Sequence, residues 1–187
     1  MSRLIAPTTC LHAAWLVAHR EWGPGLHEDG FGLCASDDVE TPQGFADWVH
    51  RLHQASDASA ALDAGRVPSL HWWIVEDSET RGSGTGESRL VLGAIALRPQ
   101  LNDFLLRAGG QVGYGVTPSA RGRGIATWAV GEVLVTAGKL GLGRVLITCA
   151  EANLASAAVI EHRGGVLEDI RDGELGLARR YWITLTN

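Results

Sequence analysis

The sequence has few cysteines, no long apolar run and no excess of basic residues. Its three cysteines, Cys10, Cys34 and Cys149, show no CxxC spacing, which argues against a disulfide framework or a zinc site. The net charge of −5 argues against a nucleic-acid-binding protein with a broad basic surface. No apolar run is long enough to span a membrane, and residues 1–7 do not form the apolar segment of a signal peptide. We therefore expect a cytoplasmic protein that binds no metal, nucleic acid or membrane.

Two common nucleotide-binding motifs are also missing. The sequence GxxxxGK[ST] does not occur, which disfavours a nucleotide-hydrolysing P-loop. A GxGxxG motif is present only loosely, because Gly113 and Gly115 lack the third glycine. A dinucleotide-binding fold is therefore disfavoured as well.

The chain does have the composition of a soluble domain. With 187 residues, 45% of them hydrophobic and 20% charged, it is expected to form one domain over residues 1–187. Hydrophobic periodicity predicts helices that begin near residues 10, 41, 101, 125 and 153. The predicted strands are residues 3–7, 70–75, 90–97, 111–116, 144–150, 166–170 and 175–185, with a glycine-rich hairpin loop at 78–88. This order predicts a mixed α/β domain built on one largely antiparallel sheet.

Residues 111–127 carry the clearest functional signal. Gln111 to Val116 is predicted to be a strand that ends before Pro118, and an apolar helix follows the glycine-rich turn at 121–124. Such a turn directs backbone N–H groups, the positive end of a helix dipole and two arginines toward one point. That point suits a phosphate or a pyrophosphate.

Further motifs lie in register with this turn. An RxxGxA pattern (Arg121, Gly124, Ala126) is followed by a buried strand and then by Asn153 at the start of another helix. Together they resemble the acetyl-CoA motif of the GCN5-related N-acetyltransferase (GNAT) superfamily over about residues 111–170. The segments GGVLE (164–168) and RYWI (180–183) are similar to those of a subgroup of predicted acetyltransferases. The resemblance implies a GNAT-type mixed, mostly antiparallel central sheet flanked by helices, with splayed strands at the acyl-CoA site.

The resemblance also implies acetyl-CoA as co-substrate and assigns residues to it. The turn would cradle the pyrophosphate with backbone amides and two arginine side chains, while Gly115 and Val116 would pair their backbone with the pantetheine arm. An N–H near Val116 would polarise the thioester carbonyl. Asn153 would contact the CoA arm, although a helix N-cap is the alternative, and Ser156 is equally a helix-surface hydroxyl. The implied binding residues are Gly115, Val116, Arg121, Gly122, Arg123, Gly124, Ile125, Ala126, Thr127, Asn153 and Ser156.

The proton-transfer groups are less clear from the sequence. Many family members place a tyrosine, which protonates the departing thiolate, at the position of Ile160 in this chain. We favour Tyr114 as the catalytic residue instead. The other polar candidates nearby are Tyr181, Cys149, Glu151 and His162, and Glu76 and Asp77 are the candidates for a general base.

No motif in the sequence identifies the molecule that accepts the acetyl group. The resemblance implies direct transfer to a primary amine of a small molecule or a peptide, and a homodimer stays open. A non-catalytic acyl-CoA-binding sensor and a nucleotide- or phosphate-binding module are the alternatives. Trp72, Trp73 and Trp182 could line an acceptor pocket, but packing in the core is the favoured role. The acidic segment 26–40 could attract a cationic amine, but a solvated loop is the favoured interpretation.

Overall fold

A computed structural model describes residues 1–23, 29–57, 67–77, 89–173 and 176–185. The strands are β1 (Ser2–Ile5), β2 (Leu70–Asp77), β3 (Arg89–Leu97), β4 (Val112–Val116), β5 (Arg144–Ala150), β6 (Val166–Arg171) and β7 (Ala178–Thr184). The α-helices are α1 (His12–Trp22), α2 (Pro42–Gln54), α3 (Ile125–Lys139) and α4 (Leu154–His162). The predicted order of elements is confirmed, with a single π-helical turn (Leu105–Gly109) in place of the short third helix. The predicted loop at 78–88, residues 24–28 and the expected start of the last strand at Leu175 lie outside the described residues.

Three helices begin where capping residues predict them. Thr8 caps the short 3₁₀ turn before α1, and Thr41 caps α2, whose first turn contains Pro42. Asn153 caps α4 by accepting a hydrogen bond from the Ser156 amide. None of the described helices combines the length and apolar character that crossing a bilayer requires.

The strands form two antiparallel sheets, with the orders β1-β2-β3-β4 and β5-β7-β6. The prediction of antiparallel sheet flanked by helices is confirmed, but the single sheet is divided between β4 and β5. These strands meet at Gln111, whose N–H donates to the Leu146 carbonyl at 2.7 Å. The Gln111 side-chain oxygen accepts from the Leu146 N–H at 2.9 Å. A side-chain amide thus replaces a backbone partner at the point where the strands separate.

Both faces of the four-stranded sheet are covered by helices. Helices α3 and α4 bury a core that includes Ile95, Ile147 and Ile160, all fully inaccessible. Helices α1 and α2 bury an aromatic core on the other side of β2 and β3. Helix α1 buries Trp15 and Ala18, and helix α2 buries Phe45, Trp48, Val49 and Leu52. Leu140, which follows the last residue of α3, is 51% exposed.

Gly93 in β3 lies beside a register shift and at a close approach between two strands. The register between β2 and β3 shifts beside it, between Ile74 and Val75. A Cβ at Gly93 would lie 2.2 Å from the carbonyl oxygen of Gly115 on β4. Glycine at this position therefore lets β4 pack closely against β3.

Candidate active site

A cavity of about 760 Å³ lies in the wedge between β4 and β5. Its walls come from β4, the glycine turn, the first turn of α3, the end of β5 and the first half of α4. Every residue predicted to bind acetyl-CoA lines this cavity except Arg123, and Tyr114 lines it too. Neither Trp72, Trp73 nor Trp182 belongs to the lining.

The turn before α3 requires glycine for conformational reasons. Gly122 and Gly124 both have φ of +74°, in the left-handed region where side chains with a Cβ are strained. A Cβ at either position would meet no atom within 4 Å. The two glycines therefore give the turn its shape and leave the adjoining space open.

The start of α3 presents backbone donors to the cavity. Trp128 makes the first helical hydrogen bond, to the Gly124 carbonyl at 2.9 Å. The N–H groups of Ile125, Ala126 and Thr127 precede it, so the helix itself offers them no acceptor. Gly124 supplies no side-chain cap. Three amides at the positive end of a helix dipole suit an anionic oxygen.

The two arginines of the turn have different surroundings. Arg121 lines the cavity, and its Nε donates to the Val116 carbonyl at 3.1 Å. Arg123 lies outside the lining, and its Nη2 donates to Glu76 Oε2 at 2.7 Å. This bond holds the pKa of Glu76 below its usual value. Glu76 and Asp77, the candidate bases, both form ion pairs with arginines and do not line the cavity.

The Glu76–Arg123 bond predicts a pH-dependent contribution to stability. Because the pKa of Glu76 is lower in the folded state, the contribution is complete above the unfolded pKa of about 4.3 and is lost as the pH falls through the folded value. We expect Glu76→Gln to lower the melting temperature at pH 7, and we expect this difference to shrink as the pH falls below about 4.3. Calorimetry of both proteins from pH 7 to pH 3 measures this. A difference that stays constant with pH would contradict the assignment.

The pairing of β3 with β4 decides which backbone groups of β4 face the wedge. The Thr117 N–H donates to the Leu92 carbonyl at 2.8 Å, and the Gly115 carbonyl is directed toward Gly93. Since polar groups alternate along a strand, those of Tyr114 and Val116 point away from β3. Gly115 and Val116 were predicted to pair with the pantetheine arm. The backbone N–H and C=O of Val116 face the wedge, whereas those of Gly115 face β3. The backbone groups of Tyr114 also face the wedge.

Tyr114 and Ser156 form a hydroxyl pair inside the cavity. The Tyr114 hydroxyl lies 2.7 Å from Ser156 Oγ and donates to the Ser156 carbonyl at 3.3 Å. Asn153 Oδ1 accepts from the Ser156 N–H at 3.0 Å, so the N-cap also fixes the partner of the tyrosine. Ile160 is fully buried in the core. The hydroxyl groups at this part of the site therefore come from β4 and the start of α4.

The other polar candidates lie in different positions. Cys149 lines the cavity, and burial raises the pKa of its thiol. Tyr181 is fully buried, donates to Glu161 Oε1 at 2.9 Å and is not part of the lining. Glu151 and His162 do not line the cavity either.

Sequence reasoning missed the segment that covers the opposite face of β4. A Cβ on Gly30 would lie 2.4 Å from the Ala94 carbonyl oxygen and 2.8 Å from the Tyr114 Cα. The 3₁₀ turn Asp29–Phe31 therefore packs directly against the strands that form the site. Phe31 and Val39 are buried, so the expectation of a solvated loop at 26–40 is wrong for these residues. The sequence signal for this buried turn was Phe31, an aromatic residue between Gly30 and Gly32.

Comparison with protein families identifies a matching model. The model described as an acetyltransferase (GNAT) domain matches residues 12–166. A search of curated protein sequences finds no match.

Solved structures share the fold across nearly the whole chain. RimJ from Mycobacterium smegmatis in complex with CoA-disulfide has a TM-score of 0.63 at 20% identity, covering 98% of this chain and 81% of that chain. The microcin C7 self-immunity acetyltransferase MccE, in complex with acetyl-CoA and AMP, has a TM-score of 0.59 at 16% identity, covering 98% and 92%. Mutant forms of the spermidine/spermine N-acetyltransferase SpeG from Vibrio cholerae have a TM-score of 0.61 at 13% identity, covering 98% and 93%.

The family match covers most of the chain, and the structural neighbours have the same architecture. The protein therefore belongs to the GNAT acetyltransferase family and is an N-acetyltransferase that uses acetyl-CoA as its acyl donor.

Proposed function

We propose that this protein transfers the acetyl group of acetyl-CoA directly to a primary amine of a small molecule or a peptide. One observation supports the proposal above all others. A single cavity joins the glycine turn, which suits a pyrophosphate, to the Tyr114–Ser156 hydroxyl pair. Donor binding and proton transfer can therefore take place in one site.

The donor is held mainly by backbone groups in this proposal. The first-turn amides of Ile125, Ala126 and Thr127 bind the pyrophosphate, and Arg121 adds a positive charge within the same cavity. The outward-facing groups of Tyr114 and the Val116 carbonyl pair with the amides of the pantetheine arm, which leaves the Val116 N–H for the thioester. Arg123 acts by bracing the turn against Glu76 of β2, rather than as a phosphate ligand.

The transfer step needs a polarised carbonyl and a proton for the leaving thiolate. The amine nitrogen attacks the thioester carbon, the C–S bond breaks, and the sulfur receives the proton that the Tyr114–Ser156 pair donates. The amine loses its proton to solvent, and the hydroxyl pair regains one from solvent. The Val116 N–H stabilises the oxyanion that forms during attack. Because a thiol has a pKa near 8.5, modest acid assistance is sufficient for its departure.

Cys149 offers a test of donor binding that does not need an acceptor. Among the cysteines, Cys10 and Cys34 are exposed, while Cys149 lines the cavity and has a raised pKa. We expect N-ethylmaleimide to label Cys149 at least ~10-fold more slowly than the exposed pair at pH 7.5, because the thiolate is the reactive form. Saturating acetyl-CoA should slow Cys149 further and leave the other two unchanged, as measured by peptide mass spectrometry. Equal protection of all three cysteines, or of none, would contradict the proposed site.

A thiol-release screen tests the acceptor class. Purified protein is incubated with acetyl-CoA and with amino acids, polyamines, aminoglycosides or peptides that have a free N-terminus. Release of CoA thiol that depends on both protein and amine, with an acetylated product of the expected mass, supports the proposal. Tight binding of acetyl-CoA without amine-dependent release in any class would overturn direct transfer to these amines.

A further inference from the structure

The contact between α3 and α4 is organised around one arginine. Arg163 follows the last turn of α4, and its guanidinium lies against Gly131 in the middle of α3. A Cβ at Gly131 would lie 2.6 Å from Arg163 Cζ and 2.7 Å from its Nη2. Glycine is a poor helix former, so its presence in the interior of α3 is accounted for by the room it gives to this side chain.

The same arginine is bonded to the first turn of α3. Its Nε donates to the Thr127 carbonyl at 2.5 Å. Thr127 lines the cavity, and its N–H is one of the three amides proposed to bind the pyrophosphate. A charged donor on this carbonyl fixes the turn that carries those amides.

Helix α4 places the two halves of the site relative to each other. Ala155, Ser156 and Val159 of α4 line the cavity, and Arg163 lies one helical turn beyond Val159 on the same face. One helix therefore presents the hydroxyl partner of Tyr114 at its start and holds the phosphate-binding turn at its end.

We infer that Arg163 is a positioning residue for the binding of acetyl-CoA. It acts through the Thr127 carbonyl to hold the first turn of α3 in the orientation that binds the pyrophosphate. The inference rests on the proposed function, because it needs the pyrophosphate to lie at this turn. It assigns Gly131 a role as well, since any larger residue displaces the guanidinium.

Two glycines of α3 provide a matched pair of variants. Gly131→Ala inserts a methyl group where Arg163 lies, while Gly138→Ala inserts one into open space on the same helix. Arg163→Ala removes the guanidinium, and Arg163→Lys keeps a positive charge and one donor. Melting temperatures are measured first, and binding is compared at a temperature at which every variant is folded.

The informative readout compares two ligands by calorimetry: acetyl-CoA and S-acetylpantetheine, which lacks the pyrophosphate. We expect Gly131→Ala and Arg163→Ala to weaken acetyl-CoA binding about 10-fold and to leave S-acetylpantetheine binding within twofold. Arg163→Lys should recover part of the loss, and Gly138→Ala should bind both ligands like the original protein. A merely structural role would weaken both ligands together, and that result would overturn the inference. Equal affinities for Gly131→Ala and Gly138→Ala would overturn it too.

Gly124→Ala separates failure of the inference from failure of the proposed function. If this variant binds acetyl-CoA normally, the pyrophosphate does not lie at the turn and the proposed function fails. If Gly124→Ala weakens binding while Gly131→Ala and Arg163→Ala do not, the turn binds the donor and only the role of Arg163 is wrong.

Discussion

Replacing Gly124 with valine should weaken acetyl-CoA binding more than 100-fold. The φ of +74° at this position costs a residue with a Cβ about 1–2 kcal/mol, and more for a β-branched one. The new side chain would also enter the cavity beside the first-turn amides of α3, where the pyrophosphate is proposed to bind. Isothermal calorimetry with acetyl-CoA measures the loss.

Gly141→Val is the matched control for this variant. Gly141 has a φ of +82°, no atom within 4 Å of its Cβ position and no place in the cavity lining. It follows the C-terminal end of α3, so its replacement adds similar backbone strain far from the site. We expect both variants to lower the melting temperature, and only Gly124→Val to lose the donor. Similar acetyl-CoA affinities for the two variants would show that the turn does not hold the donor.

Tyr114→Phe should lower kcat about 100-fold and leave the KM for acetyl-CoA within threefold. The substitution removes the hydroxyl that lies 2.7 Å from Ser156 Oγ and keeps the ring that packs against the core. A positioned general acid typically contributes 10²–10⁴-fold to the rate. Ser156→Ala should lower kcat by a similar factor, because it removes the other half of the pair. Steady-state kinetics with an acceptor found in the screen provide the measurement.

The chain contains one other tyrosine, which serves as the control. Tyr181 also donates a hydrogen bond, to Glu161, but it lies in the core rather than in the cavity. Tyr181→Phe should therefore reduce stability slightly and leave kcat unchanged. Equal kcat values for Tyr114→Phe and Tyr181→Phe would mean that Tyr114 does not donate the proton.

The features that the sequence predicted well depend on neighbours along the chain. Capping by Thr41 and Asn153 needs only a side chain and an amide three residues away. The glycine turn and the helix after it are encoded within a few residues, so the pattern predicted the conformation, while phosphate binding at the turn stays a prediction. The order of helices and strands was predicted because each element has its own hydrophobic period.

The features that could not be predicted join residues far apart in the chain. Tyr114 and Ser156 are separated by 42 positions, and nothing local to either residue encodes their hydrogen bond. The pairing of Arg123 with Glu76 spans 47 positions. A sequence pattern indicates that two arginines lie in a turn, but tertiary contacts decide which of them lines the cavity.

Gln111 allows the two sheets to separate at the site without leaving backbone groups unpaired at Leu146. Its peptide N–H and its side-chain amide together satisfy both polar groups of Leu146, so β4 and β5 separate without leaving that residue unpaired. Beyond this point the two strands have room between them for another extended chain. The pantetheine arm contains two amide groups, which are the groups a β-strand uses for pairing. The proposed pairing of the pantetheine arm with β4 would therefore place it where a further strand of a continuous sheet would lie.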